Sequence, residues 1–295
     1  MESSQPNKGF LTMNMKRPIW LNKKVRWNEA DSMAHFMKEQ VLHTVCQEAR
    51  CPNRSECFSR KTAAFLILGD LCTRNCTFCA VKHGVPFPFS KEEPLRVARA
   101  VQIMGIRYAV ITSVTRDDLA DGGAKAFAET IRAVRIEGKA ERVEVLVPDF
   151  QGDEDAADIV LRALPDVFAH NVETVPRLYP EVRPEADYQR SLAFLAGAKK
   201  RFPLQRTKSG LMVGLGERVE EVELVIRELR KAGSSFLSIG QYLSPGSAWY
   251  PVKEYVHPSL FEHYRKVALD AGFESVMSGP YVRSSYMAET YFDKV

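Results

Sequence analysis

No apolar run in these 295 residues approaches the roughly 18 needed to cross a bilayer, so no membrane partner is expected. The opening stretch, MESSQPNKGFLTMNMKRPIW, has no apolar core of the secretory kind and no long Arg- and Ser-rich segment of the organelle-import kind. Cytoplasm is the expected compartment. A basic stripe is also missing: 41 Lys and Arg are intermixed with 37 Asp and Glu for a net charge of +4, which speaks against nucleic acid as a partner. Cysteine is absent before residue 46 and after residue 79, so the dispersed disulfide framework of a secreted chain is excluded. Internal repeats, low-complexity blocks and interdomain linkers are absent too.

What remains is ordinary in bulk. Hydrophobic residues make up 45% and charged residues 26%, enough to bury a normal core without a covalent staple. Residues 1–60 are polar and irregular, with one helix predicted over Ser32–Cys46. From residue 63 onward, short β-branched runs alternate with longer amphipathic segments. The predicted strands are Ala63–Gly69, Arg107–Thr112, Arg142–Val147, Asp166–Asn171, Ser209–Gly214 and Phe236–Gly240. Helices are predicted between them at Glu92–Met104, Ala124–Glu137, Asp153–Leu164, Tyr188–Arg201 and Arg218–Ala232, and a final one at Pro258–Ala271. Six strands alternating with helices imply parallel pairing through right-handed crossovers. A doubly wound sheet satisfies that pattern, and so does a partial (β/α)6 barrel of the TIM type, which is the fold expected here. Residues 1–60 would form an N-terminal extension, and residues 61–295 the barrel with a C-terminal helix and tail.

All six cysteines lie in residues 46–79, in two triads. CTRNCTFC gives Cys72, Cys76 and Cys79, spaced C-x3-C-x2-C and placed just after the first predicted strand. Loops at the C-terminal ends of barrel strands carry the chemistry of such folds. Three thiolates on one loop suit an iron–sulfur cluster with one iron left open. Zinc is the competing reading, with His83 as a fourth ligand. CQEARCPNRSEC gives Cys46, Cys51 and Cys57, spaced C-x4-C-x5-C among polar neighbours. That setting argues against buried structural cysteines; zinc with His43 is again the alternative.

The C-x3-C-x2-C triad resembles that of the radical S-adenosylmethionine (SAM) superfamily. C-x4-C-x5-C followed by C-x3-C-x2-C, with Arg283-Ser284-Ser285-Tyr286 near the C-terminus, resembles the lipoyl synthases more specifically. The resemblance runs from about residue 40 to the end. It implies two 4Fe-4S clusters: one on Cys72, Cys76 and Cys79, where SAM binds, and an auxiliary one on Cys46, Cys51, Cys57 and Ser285. It implies sulfur insertion at C6 and C8 of an octanoyl-lysine on a lipoyl carrier domain or H-protein. A low-potential donor such as ferredoxin or flavodoxin and a cluster-repair carrier protein are the other implied partners. Candidate SAM contacts are Thr112 and Ser113 in ITSVTRDDLADGGA, and Asn171, Glu173 and Arg177 in HNVETVPRLY, with Arg177 otherwise pairing with Glu173. No side chain beyond the cluster ligands is assigned a catalytic role.

Other stretches are less specific. Gly122 and Gly123 either admit backbone close to the cofactor or simply start the next helix. Lys208 and Glu217 are candidates in TKSGLMVGLGE, and the plain reading of each is a solvated charge. Gln241 and Tyr242 match the family. Two departures stand out. Thr115 occupies a place where Asp is expected, and Ala248, Trp249 and Tyr250 precede Pro251 where a basic residue and His are expected. A different radical SAM enzyme with an auxiliary cluster, or a zinc-binding module, are the competing functions.

Overall fold

Runs of Val, Ile, Leu and Phe flanked by Gly and charged residues become the strands, and the intervening amphipathic segments become the helices packed on them. The computed structural model describes residues 16–23, 27–60 and 62–292. The N-terminal residues 1–15, which carry most of the leader reading above, lie outside the described residues.

Among the described residues, ten strands occur in chain order: β1 (His43–Thr44), β2 (Ala64–Ile67), β3 (Leu71–Cys72), β4 (Lys82–His83), β5 (Tyr108–Ser113), β6 (Arg142–Leu146), β7 (Val167–Ala169), β8 (Arg206–Val213), β9 (Phe236–Gln241) and β10 (Ser275–Gly279). Eight form one sheet in the order β1-β2-β5-β6-β7-β8-β9-β10. Every neighbouring pair from β2 to β10 is parallel, and only β1 runs antiparallel, pairing His43 with Leu66 and Thr44 with Phe65. One cavity takes lining residues from β2, β5, β6, β8 and β9, so the sheet curls around it. The mostly parallel α/β architecture agrees with the sequence reading. The seventh parallel strand, β10, was not anticipated, because SVMSG is short and half polar. The helix expected over Ser32–Cys46 instead spans Trp27–Glu39 and gives way to β1 and a short helix, Val45–Glu48.

Local chemistry sets the helix ends. Asp153 caps Glu154–Leu161 by accepting from the backbone N–H groups of Asp155 and Ala156, and Asp187 caps Tyr188–Arg201 through Arg190. Gly105 adopts a left-handed φ of 66° directly after Glu93–Met104, as a helix C-terminus favours. Helix Val219–Lys231 turns Val222, Val225, Ile226 and Leu229 inward, all with 0% exposure. Burying each such side chain contributes about 1.5–3 kcal/mol. Met37, Leu42, Cys46 and Phe58 of the extension belong to the same apolar core as β2 and β5. The extension and the sheet therefore share one core.

Candidate active site

The loop after β2 carries Cys72, Cys76 and Cys79, and a short parallel ladder closes it by pairing Leu71 with Lys82 and Cys72 with His83. Arg74, between the first two cysteines, anchors it. Its buried guanidinium donates to Asp117 (2.7 and 3.0 Å) and to Asp149 (2.6 Å), the residues following β5 and β6. Arg190 also donates to Asp149, at 2.8 Å. Burial alone would raise the Asp149 carboxyl, but the two guanidiniums hold it well below the usual carboxylate range. Thr115 explains its own departure from the family pattern. Its carbonyl accepts from the Thr73 N–H at 3.0 Å and its N–H donates to the Cys72 Sγ at 3.3 Å, so the backbone does the work.

The second triad sits on the extension. Cys51 donates its N–H to the Cys46 carbonyl at 3.1 Å, and Cys57 to the Asn53 carbonyl at 2.9 Å. The two triads face one cavity of roughly 330 Å³. Cys46, Cys51, Cys72, Cys76 and Cys79 line it, together with Ser285 from the C-terminal tail. Cys57 is not among the lining residues. Desolvation, then the neighbouring Cys51, push its thiol up to about 12. Cys46 is raised further for the same two reasons, and burial raises Cys79 to about 12. Thiols held protonated by burial first and by one another's charge second need a cation among them to stay deprotonated. Among the described residues, no group of three or more His, Cys, Asp or Glu side chains closes tightly enough to hold a single metal ion. His83 is exposed, and His43 is paired with Glu48 at 3.4 Å, so neither supplies the zinc ligand weighed from sequence. Two soft three-thiol sets around a shared cavity fit polynuclear iron–sulfur groups, which thiolates favour.

Thr112, Ser113, Asn171 and Glu173 all line this cavity. The Thr112 hydroxyl is engaged, donating to the Leu146 carbonyl at 2.9 Å. The buried Ser113 Oγ has no partner and faces a ligand-sized space. Asn171 donates to Glu173 at 3.1 Å. Glu173 takes a left-handed φ of 64°, costly for a non-glycine residue, and its backbone bonds both ways to β8 through Gly210 and Met212. Desolvation at the cavity wall raises its carboxyl.

Three sequence expectations need correction. Arg177 does not reach the cavity or Glu173; it is half exposed and forms a two-pronged pair with Glu221 at 2.8 and 2.9 Å. A buried cation in the cavity lining that sequence reasoning missed is Arg183. Buried, it donates to the Asn171 and Val172 carbonyls (3.0 and 3.1 Å) and to the Tyr179 hydroxyl (3.2 Å). Burial alone would lower it, but Tyr179, Cys76 and Glu173 keep it firmly protonated. Its only sequence signal is its place four residues after Tyr179, one helical turn on. Lys208 is not solvated; its side chain has 0% exposure. Glu217 is not free either, as it accepts from the Gly214 and Leu215 N–H groups and braces its own loop. Gly122 and Gly123 pack under Phe150 and Leu68, so their role is packing at the start of the next helix.

The loop after β9 roofs the site. Gln241 ties it down through the Val213, Tyr242 and Glu254 carbonyls, while Tyr242 donates to the Tyr250 carbonyl at 2.6 Å. The tail enters beside Gly240, where any Cβ would overlap the Val282 carbonyl. Asn53 donates to the Tyr281 carbonyl (2.7 Å) and Tyr286 to Glu56 (2.9 Å), joining tail to extension on both sides of Ser285.

The chain is similar to proteins already known. The radical SAM superfamily profile matches residues 66–229. The chain is 56% identical over 278 residues to the lipoyl synthase of Caldicellulosiruptor saccharolyticus, covering 94% of this chain and 98% of that one. It is 50% identical to the lipoyl synthase of Geobacter sp. (strain M21), covering 95% and 96%. Among solved structures, methylornithine synthase (PylB) has a TM-score of 0.54 at 14% identity, covering 72% of this chain and 70% of that chain. The FeFe-hydrogenase maturase HydG of Carboxydothermus hydrogenoformans gives 0.57 at 17% identity, covering 78% and 65%; at these identities the likeness concerns fold alone. No described helix is long and apolar enough to cross a membrane. With two cysteine triads meeting at one cavity of a radical SAM fold, and half of all residues shared with such relatives over nearly the whole chain, this enzyme belongs to the lipoyl synthase family of the radical SAM superfamily.

Proposed function

We propose that the chain inserts two sulfur atoms, at C6 and C8, into an octanoyl chain amide-linked to a lysine of a lipoyl carrier domain or H-protein. The observation that carries this reading is one cavity lined by five of the six cysteines, drawn from both triads, and by Ser285. When bound, one cluster with SAM supplies a hydrogen-abstracting radical and the other supplies sulfur, and the protein contributes position and exclusion of water.

Cys72, Cys76 and Cys79 are the proposed holders of the first 4Fe-4S cluster, and Cys46, Cys51, Cys57 and Ser285 of the second. A serine oxygen is a harder ligand than a thiolate and leaves its iron easier to release. Ser113, Asn171 and Glu173 are assigned to the amino-acid and ribose groups of SAM: an unpaired hydroxyl, an amide and a carboxylate sit together at the cavity wall. Thr112 shapes that wall, its hydroxyl already spent on Leu146. Arg177 is omitted from the SAM contacts because Glu221 holds it. Arg183 takes the cationic place, orienting the Asn171 backbone beside Cys76. Leu66, Val114, Leu146, Met212 and Leu243 give the cavity an apolar lining suited to a saturated chain.

Residues 1–60 form the proposed auxiliary-cluster unit and 61–295 the radical-generating unit, a division of labour within one core. A ferredoxin- or flavodoxin-type donor, a cluster-repair carrier protein and a cytoplasmic setting complete the reading. The test is anaerobic incubation of reconstituted protein with reductant, SAM and an octanoyl-lysyl peptide, followed by mass spectrometry. A peptide heavier by two sulfurs, less the hydrogens displaced, supports the assignment. SAM cleavage with an unchanged peptide removes the substrate claim.

A further inference from the structure

We propose that Lys208 and Glu144 form a latch inside the curled sheet that sets the position of Ser285, with Lys208 as a positioning residue acting through the Ser284 carbonyl. The inference rests on the reading of Ser285 as a cluster ligand and extends it to the question of what aims that serine.

The pair is fully interior: the side-chain exposures are 0% for Lys208 and 1% for Glu144, at an N–O distance of 2.8 Å. Burying two charges carries a desolvation cost that their attraction offsets only with good geometry and further hydrogen bonds. Apolar residues on β6 and β8 would fill the same space at lower cost, so the pair does not exist for stability alone. Its other contacts say what it holds. Glu144 is steadied on its second oxygen by the Tyr108 hydroxyl at 2.6 Å. Lys208 spends its remaining capacity on the C-terminal tail. Its ammonium donates to the Ser284 carbonyl at 2.6 Å and lies over the Tyr291 ring, 4.1 Å from the centroid. Tyr291 is itself fixed, with 0% exposure and its hydroxyl donating to the Leu237 carbonyl at 3.1 Å.

One ammonium on β8 thus touches the tail on both sides of Ser285. A charge-assisted hydrogen bond to a peptide carbonyl is short and directional, and here it grips the residue immediately before the serine. The Ser284 hydroxyl donates to Asn171 at 3.1 Å, a second tie from the cavity side. Between these ties the Ser285 backbone has little freedom, and the wall strand acts on the residue next to the serine, while Asn53 and Glu56 of the cysteine segment hold Tyr281 and Tyr286 farther out.

The experiment uses the full chain, before and after cluster reconstitution, with hydrogen exchange of the tail measured by mass spectrometry. The double variant Lys208→Met/Glu144→Gln removes the ammonium and leaves no orphan charge, while Tyr108→Phe loosens Glu144 but keeps the ion pair and the ammonium on Ser284. The expected result is exchange about tenfold or more faster over residues 282–288 in the double variant, near-native exchange there in Tyr108→Phe, and an unchanged sheet in both. Native tail protection in the double variant overturns the latch. So does a rise spread over the whole sheet, which would make the pair merely structural. Ser285→Ala, read by Mössbauer spectroscopy of the auxiliary cluster, separately tests the ligand reading. An unchanged spectrum there removes the ligand assignment while the exchange result still decides the latch.

Discussion

Trp249 donates its indole N–H to the carbonyl of Cys79 at 2.8 Å. The other side of this contact is Arg50, whose guanidinium lies 5.0 Å from the Trp249 ring centroid and whose neighbour in sequence is Cys51. One of the residues at which this chain leaves the family pattern therefore bridges the loops of both triads. Trp249→Phe keeps the ring and removes the hydrogen bond, a loss of about 1 kcal/mol. Trp249→Ala removes both contacts and is expected to speed amide exchange over residues 76–82 and 49–53 together. Exchange that rises in one segment alone contradicts the bridge.

Gly240 has no room for a side chain because the tail's Val282 carbonyl lies against it. Gly240→Ala should push the tail off β9, cost about 1–3 kcal/mol in thermal unfolding, and impair sulfur insertion more than SAM cleavage. Equal losses in both activities would place the damage elsewhere.

His170 lines the cavity and is buried between the Val147 carbonyl (2.9 Å) and the Ser191 hydroxyl (3.0 Å), and desolvation lowers it to about 4. The folded value lies below the unfolded one. The unfolded chain therefore takes up the proton first as pH falls below 6.5, and the fold loses stability down to about 4. The window corresponds to an order of 3 kcal/mol. In denaturant titrations, the stability advantage of the native protein over His170→Gln should shrink between those pH values. A constant difference would show that His170 titrates normally.

Arg74→Met leaves Asp149 with Arg190 as its one remaining cationic partner and unties the cluster loop from the ends of β5 and β6. Breaking a buried pair on one side costs about 3–5 kcal/mol. The double variant Arg74→Met/Asp149→Asn should recover much of that stability, measured by chemical unfolding. No recovery would mean that Asp149 is not the group left uncompensated.

Much of this was legible in the chain itself. The six strands with β-branched runs and the helices with charged flanks lie within a few residues of where periodicity puts them, and clustered cysteines at fixed spacing announce soft-metal chemistry. Two kinds of information were not local. Strand β10 reads as SVMSG, whose burial depends on its pairing with Phe236–Gly240 far along the chain. Lys208 looks like a solvated charge because Thr207, Lys208 and Ser209 are polar in a row, yet all three have 0% exposure. The partners of Lys208 come from β6 and the tail, 64 and 76 residues away. Arg183 and Arg177 are equally plausible cations until the chain's turn through Tyr179–Val182 points one inward and the other at Glu221.

The central claim is that the two triads meeting at one cavity do different jobs in one reaction. The most direct test replaces Cys46, Cys51 and Cys57 together by Ala and measures 5′-deoxyadenosine and sulfur insertion on the same octanoyl-lysyl peptide. The account predicts SAM cleavage retained, sulfur insertion abolished, and bound iron falling from about eight to about four per chain. Sulfur insertion that survives, or SAM cleavage lost in a protein that still folds and still binds four irons, would contradict it.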